Sequence, residues 1–310
     1  MVSRPPRSVT PLILVGIAVL SFIACFAISA LIAHHEDNQS ASSNIESTPV
    51  TAPTNKPDFI DLQSTLDEWI NSTPGAKGVI IYDLDHDRVS AQYQPDDIFA
   101  TASLYKLFPV YTGYTAVEKG QFNSTTKLAD GHTISECLDL ALRESNSTCA
   151  ELLVKSIGAD QIQQSANEWG TVSTNVSGLQ STPSDIIKVL QKYYHHPELS
   201  ADTYAKILDS MLNQPVTHSE LCDGYCDWRQ GLPSGFTDPA TKVYNKVGWD
   251  YNPDGYWNLY HDAAITEISS NLDDTPHHYA IVVMTSKINP IKIAALGAKI
   301  EKKVLDFAHD

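Results

Sequence analysis

The residues of this chain best suited to do chemistry are a hydroxyl and an amine three positions apart. They are Ser103 and Lys106, in Ala-Thr-Ala-Ser-Leu-Tyr-Lys-Leu-Phe-Pro. A serine hydroxyl is a poor nucleophile at neutral pH, because its proton is tightly held, and it needs a base within reach. On a helix, a lysine three residues on lies on the same face, one turn away. It can take the proton once desolvation or a neighbouring cation has lowered its own pKa. Such a pair is common on helix surfaces, so the rest of a site must be sought elsewhere in the chain.

Two further clusters could supply it. Ser145-Asn146-Ser147 precedes the run Thr148 to Leu153 and opens a helix after a loop. Its simplest reading is a serine-rich N-cap. Its functional reading is a second hydroxyl facing Ser103, able to hand a proton to a leaving nitrogen. Lys246-Val247-Gly248 lies on a predicted strand after Gly231-Leu232-Pro233-Ser234-Gly235. An edge-strand lysine is ordinarily a solvated, aggregation-blocking residue. In a cleft the same lysine would attract a substrate carboxylate and lower Lys106 by like-charge repulsion. Gly248 would let a ligand lie close to the backbone. The amides of Ser103 and Trp249 would then form an oxyanion hole, worth roughly 3–4 kcal/mol of barrier per donor. Tyr193, Tyr194, His195 and His196 read as helix-end residues, and Glu168 as a helix-end surface charge.

The elements that must position these groups follow from periodicity. Phe59, Leu62, Leu66, Trp69 and Ile70 have helical spacing, and Pro74-Gly75 ends that helix. Gly78 to Leu84 and Arg88 to Tyr93 read as strands joined in a hairpin through Asp85-His86-Asp87. After Ser103 the pattern is helical for over a hundred residues. Strands return at Thr241 to Val247, Tyr260 to Ser269 and His278 to Thr285, and an amphipathic helix closes the chain from Pro290 to Ala308. The two ends therefore build one antiparallel sheet around an inserted helical block, an α+β architecture without βαβ repeats.

Composition narrows the classes. The 310 residues carry a net charge of −16, which provides no basic stripe for nucleic acid. Residues 1–35 read as a signal anchor. Arg4 and Arg7 precede the apolar run Pro11 to Ala33, and acidic residues follow. That run is long enough to span a bilayer core of about 30 Å, with the remainder of the chain outside the cytoplasm. Removal as a signal peptide is the rival reading. Residues 36–56, rich in Ser, Thr, Asn and Pro, read as a flexible linker, and 57–310 as the folded domain. In an oxidising compartment Cys137 and Cys149 could bridge adjacent helices, and Cys222 and Cys226 could clip one loop. Zinc at Cys222 and Cys226, with His218, is the alternative, but no second ligand pair has metal-site spacing. No metal and no cofactor are expected.

Taken in chain order, the strand pair, Ser103-x-x-Lys106, Ser145-x-Ser147, Thr182-Pro183-x-Asp185, Gly231-Leu232-Pro233, Lys246-x-Gly248 and Tyr260 to Ile265 resemble class A β-lactamases and related penicillin-binding serine hydrolases. The resemblance covers residue 57 onward. It implies two lobes, one α/β and one all-helical, with the active site in the cleft between them. It also implies a covalent acyl-serine. Ser103 would be the nucleophile, Lys106 its base, Ser145 the proton relay and Lys246 the carboxylate anchor. Ser147, Gly248 and Trp249 would complete the substrate side. The expected partner is a small β-lactam or a D-Ala-type cell-wall peptide, met by a monomer.

Three departures bear on substrate. Ser147 stands where the family's motif ends in Asn, with a shorter reach. Val247 stands where the family has a hydroxyl for the carboxylate. The glutamate that the family holds in E-x-x-L-N before the Thr-Pro helix has no counterpart, so deacylation is expected to be slow. A catalytically weak penicillin- or peptidoglycan-binding module and an esterase using the same Ser-Lys pair are the competing functions.

Overall fold

A computed structural model describes residues 59–219, 224–252, 256–270 and 273–309. All of them belong to the unit Lys56–Asp310. The expected anchor and linker lie outside the described residues, as does the Cys222–Cys226 clip with its zinc alternative. Among the described residues, no helix is long and apolar enough to cross a membrane.

Helix α1 (Gln63–Ser72) leads into the hairpin β1 (Ala76–Asp83) and β2 (Arg88–Tyr93). Strands β7 (Lys242–Asn252), β8 (Tyr256–Ser270) and β9 (Asp273–Ser286) complete an antiparallel sheet of order β2-β1-β9-β8-β7. Helix α8 (Pro290–His309) packs back on α1 and the sheet. Side chains alternate across a strand. On β9, Tyr279, Ile281 and Val283 therefore enter a core shared with α1 and α8. Ala280, Val282 and Met284 enter a second core shared with the helical block. Burial on both faces explains why these strands read as unbroken apolar runs. The three C-terminal strands extend beyond the apolar stretches that announce them, because ladder pairing continues through polar residues towards the hairpin ends.

Between β2 and β7 lie β3 (Phe99–Ala100), a 3-10 turn (Ala102–Lys106), α2 (Leu107–Glu118), α3 (Ile134–Arg143), α4 (Ser147–Ile157), α5 (Ala159–Glu168), β4 (Gln180–Ser181), α6 (Pro183–His195), α7 (Ala201–Leu212) and the pair β5 (Val216–Ser219) and β6 (Gly224–Asp227). Helix α2 is buried on nearly every side and forms the axis of the helical lobe. Thr133 and Glu136 make a reciprocal capping box that starts α3. Cys137 and Cys149 are joined in a disulfide across α3 and α4, with a sequence separation of 12. Closing a loop of that size stabilises by roughly 3 kcal/mol. Tyr193 departs from the sequence reading. It is fully buried, and its hydroxyl donates to the Leu107 carbonyl at 2.9 Å. His195 ends α6, and His196 caps it in the left-handed region, with φ 34°.

Candidate active site

Ser103 and Lys106 sit on the 3-10 turn and not on the α-helix that follows it. At three residues per turn the side chains at i and i+3 eclipse, and Lys106 Nζ lies 3.0 Å from Ser103 Oγ. The turn is held on three sides. The Thr101 amide donates to the Leu179 carbonyl at 2.8 Å, and the short ladder β3–β4 pairs Phe99 with Ser181. His261, buried beneath it, supplies the third support. The Thr285 amide donates to His261 Nδ1 at 2.9 Å, so the ring's proton is on Nε2, which donates to the Ala100 carbonyl at 2.7 Å. Burial lowers His261 to about 4, leaving the ring neutral. Just before the nucleophile, Ala102 has φ 44°. A non-glycine residue in that region stores on the order of 1–3 kcal/mol of strain.

Ser145 also has positive φ, 54°, and the N-cap of α4 is its neighbour Asn146, whose side chain accepts from the Cys149 amide. The two flanking serines are thereby left to Lys106. Its ammonium donates to the Ser145 carbonyl, to Ser145 Oγ at 3.2 Å and to Ser147 Oγ at 3.0 Å. From the other side Lys246 Nζ reaches Ser145 Oγ at 2.8 Å and the Val247 carbonyl at 2.6 Å. Ser145 Oγ thus lies between two amines.

Lys246 is on the edge strand β7, yet α7 and the 3-10 turn cover it, and both lysines are 0 % exposed. Their hydrogen-bond partners among the described residues are hydroxyl and carbonyl oxygens, with no carboxylate among them. Burial lowers Lys106 to about 8, and the charge of Glu151 opposes that drop. Burial, then the charge of Lys106, carries Lys246 well below its ordinary value. The expectation that Lys246 chiefly tunes Lys106 by repulsion is therefore revised. Desolvation is the leading cause at both amines.

Gly248 has a different use from the one its type suggests. A Cβ there would lie 2.7 Å from the Thr101 carbonyl oxygen and 3.0 Å from the Ser103 amide nitrogen. The missing side chain makes room for the nucleophile's own turn, and it sets the strand residue before Trp249 against the Ser103 amide. Alternation sends Val247 to the other face, into the α1–α8 core at 1 % exposure. Trp249 is partly buried and stacks on Trp228 at 5.6 Å.

That other face holds a polar cluster that sequence reasoning passed over. Asp262 accepts from Asn245 Nδ2 at 3.0 Å and from the Leu232 amide at 2.8 Å, and burial raises it to about 7. A Cβ at Gly231 would stand 2.3 Å from its Oδ2, so the Gly231-Leu232-Pro233 motif is the lid of this carboxyl. His261 and Asp262 announce themselves only as polar residues inside an apolar strand run. Glu168 lines a separate cavity of about 480 Å³ with Tyr111, Trp169 and Glu198. Asp130, His132, Cys137 and Cys149 lie close enough to suggest a metal site, but the disulfide consumes both thiolates.

The sequence model of the β-lactamase enzyme family matches residues 61–307. Comparison with curated proteins returns no significant match. Among solved structures, the TLA-1 extended-spectrum β-lactamase superposes with a TM-score of 0.65 at 17 % identity, covering 79 % of this chain and 98 % of that one. PBP-A gives 0.65 at 17 % identity, over 81 % and 99 % of the two chains. A β-lactamase from Chitinophaga pinensis gives 0.64 at 17 %, over 79 % and 98 %. At these identities the structures speak for the fold: an antiparallel sheet with an inserted helical lobe.

Proposed function

The chain belongs to the β-lactamase enzyme family, a family of serine hydrolases, and on that premise we propose that it opens an amide through an acyl-Ser103 intermediate outside the cytoplasm. One observation carries the reading: Ser103 Oγ and Ser145 Oγ lie 3.0 and 3.2 Å from one buried amine, Lys106 Nζ. Neutral Lys106 takes the Ser103 proton as Oγ adds to the carbonyl. The amides of Ser103 and Trp249 hold the oxyanion. Ser145, steadied by Lys246, passes the proton to the leaving nitrogen. With Lys106 near 8, roughly a tenth of molecules hold the free amine at pH 7.

The substrate is a β-lactam or a D-Ala-terminated cell-wall peptide, bound by a monomer. Lys246 faces the substrate carboxylate, with Ser147, Gly248 and Trp249 along the same side. Residues 169–181 contain no carboxylate, which supports slow release of the acyl group. PBP-A, one of the fold neighbours, is recorded as an acyl-enzyme complex with penicillin G. Residues 1–35 anchor the chain and residues 36–56 tether the domain, and the Cys137–Cys149 disulfide suits an oxidising compartment.

Fluorescent penicillin and a chromogenic cephalosporin test this reading on the full chain. Labelling that is lost in Ser103→Ala, with little colour, is the expected result. Rapid colour change points to efficient lactam turnover. A second reading, a binding module of weak catalysis, draws on Val247, whose side chain is turned into the core and offers the cleft no hydroxyl. Retention of penicillin without a covalent bond to Ser103 would favour it.

A further inference from the structure

Release of an acyl group from Ser103 needs a water molecule and a base, and the segment from α5 to β4 provides no carboxylate. Helix α4 does. Ser147 is its first residue, with Oγ 3.0 Å from Lys106 Nζ. Glu151 follows four residues later, on the same helix face. Helical side chains lean towards the N-terminus, so Glu151 tilts back over Ser147 in the direction of the amine. Its charge is felt at Lys106 and at Tyr105, the two side chains that follow Ser103 on the same turn. Glu151 is exposed, so water reaches it. A helix-dipole role explains it poorly, because that effect fades after the first turn.

We propose that Glu151 is the base that activates the deacylating water, a further catalytic residue whose role rests on the Ser103 acyl-enzyme described above. The Glu151 carboxylate takes one proton from the water as its oxygen bonds to the acyl carbon. The bond from that carbon to Ser103 Oγ then breaks. Lys106, free again after acylation, relays the proton from Glu151 to Oγ. The products are the free hydroxyl and the acid. An open, solvated position orders the water less firmly than an enclosed one, so the step remains slow.

The test uses the full chain, penicillin G and intact-mass counting of acyl-Ser103 over time, in wild type, Glu151→Gln, Glu151→Asp and Ser103→Ala. Glu151→Gln should acylate within about twofold of wild type and lose the acyl group at least ~10-fold more slowly. Glu151→Asp should fall between them. Release by wild type should decline as pH falls through the carboxylate range, and release by Glu151→Gln should not. Equal release by wild type and Glu151→Gln overturns the proposal and leaves Ser103 acylation standing. So does a wild-type adduct that never decays, or a Glu151→Gln effect confined to acylation. No wild-type adduct at all overturns both readings.

Discussion

Strands β7 and β8 carry two buried polar clusters, one on each face, and they differ in whether opposite partners are present. On the face towards the helical lobe, Lys106 and Lys246 converge on Ser145 with only hydroxyls and carbonyls around them. On the face towards α8, the carboxyl of Asp262 meets the Asn245 amide and the Leu232 N–H, with the charge of Arg229 in range. The second arrangement pins the turn Leu232–Gly235 to the sheet. The first holds two amines that burial drives towards neutrality. A buried ionisable group with fitted partners organises structure, whereas one left without a counter-charge becomes a base.

The sharpest way to break this contrast is to remove the uncompensated amine. Lys106→Met should lower Ser103 acylation by about 10³-fold or more, measured with labelled penicillin. It should also stabilise the fold at pH 7, by on the order of 1–3 kcal/mol in urea unfolding. The sign follows from the lowered pKa. Below about 8 the folded state must hold a buried ammonium, and that penalty disappears as pH rises from 8 towards the ordinary lysine value. A variant both inactive and less stable would count against the contrast.

Gly248→Ala should come next, with acylation down by about 10²-fold, because its Cβ would press on backbone atoms of the nucleophile's turn at 2.7 and 3.0 Å. In the opposite cluster, Asp262→Ala should destabilise by about 2–3 kcal/mol, leaving buried donors unmet. Asp262→Asn should be much milder. Because Asp262 is raised to about 7, the folded state binds its proton more tightly than the unfolded one. The stability it contributes is therefore largest at acid pH and falls as pH climbs from about 4 to 7. Asp262→Asn should flatten that slope in pH-dependent unfolding. The smallest effect belongs to His261→Asn, about tenfold on acylation, with the alkaline limb of the pH profile unmoved. His261 positions Ala100 and carries no proton in the reaction.

Much of the fold is written in periodicity. The strand runs at both ends of the domain and the capping box at Thr133 could be read directly. The site's members could also be found, because Ser103, Lys106, Ser145 and Lys246 combine side-chain types that rarely recur in that order. Their environment could not. Lys246 lies on an edge strand, and only the covering helix and turn make it buried. Gly248 looks like a ligand contact and is instead a close approach between two backbone segments. Tyr193 is buried because its hydroxyl finds the Leu107 carbonyl from another helix. The role of His261 depends on Ala100, 161 positions away in the chain. Each of these facts is a tertiary contact between distant residues, which local pattern does not encode.

The most direct test of the uncompensated-amine account is the rate of Ser103 acylation by penicillin, followed from pH 6 to 10 in the full chain. The account predicts a rate that rises with pH through an inflection near 8, set by Lys106 and absent in Lys106→Met. An inflection at the ordinary lysine value above 10, or the same profile surviving in Lys106→Met, would contradict it.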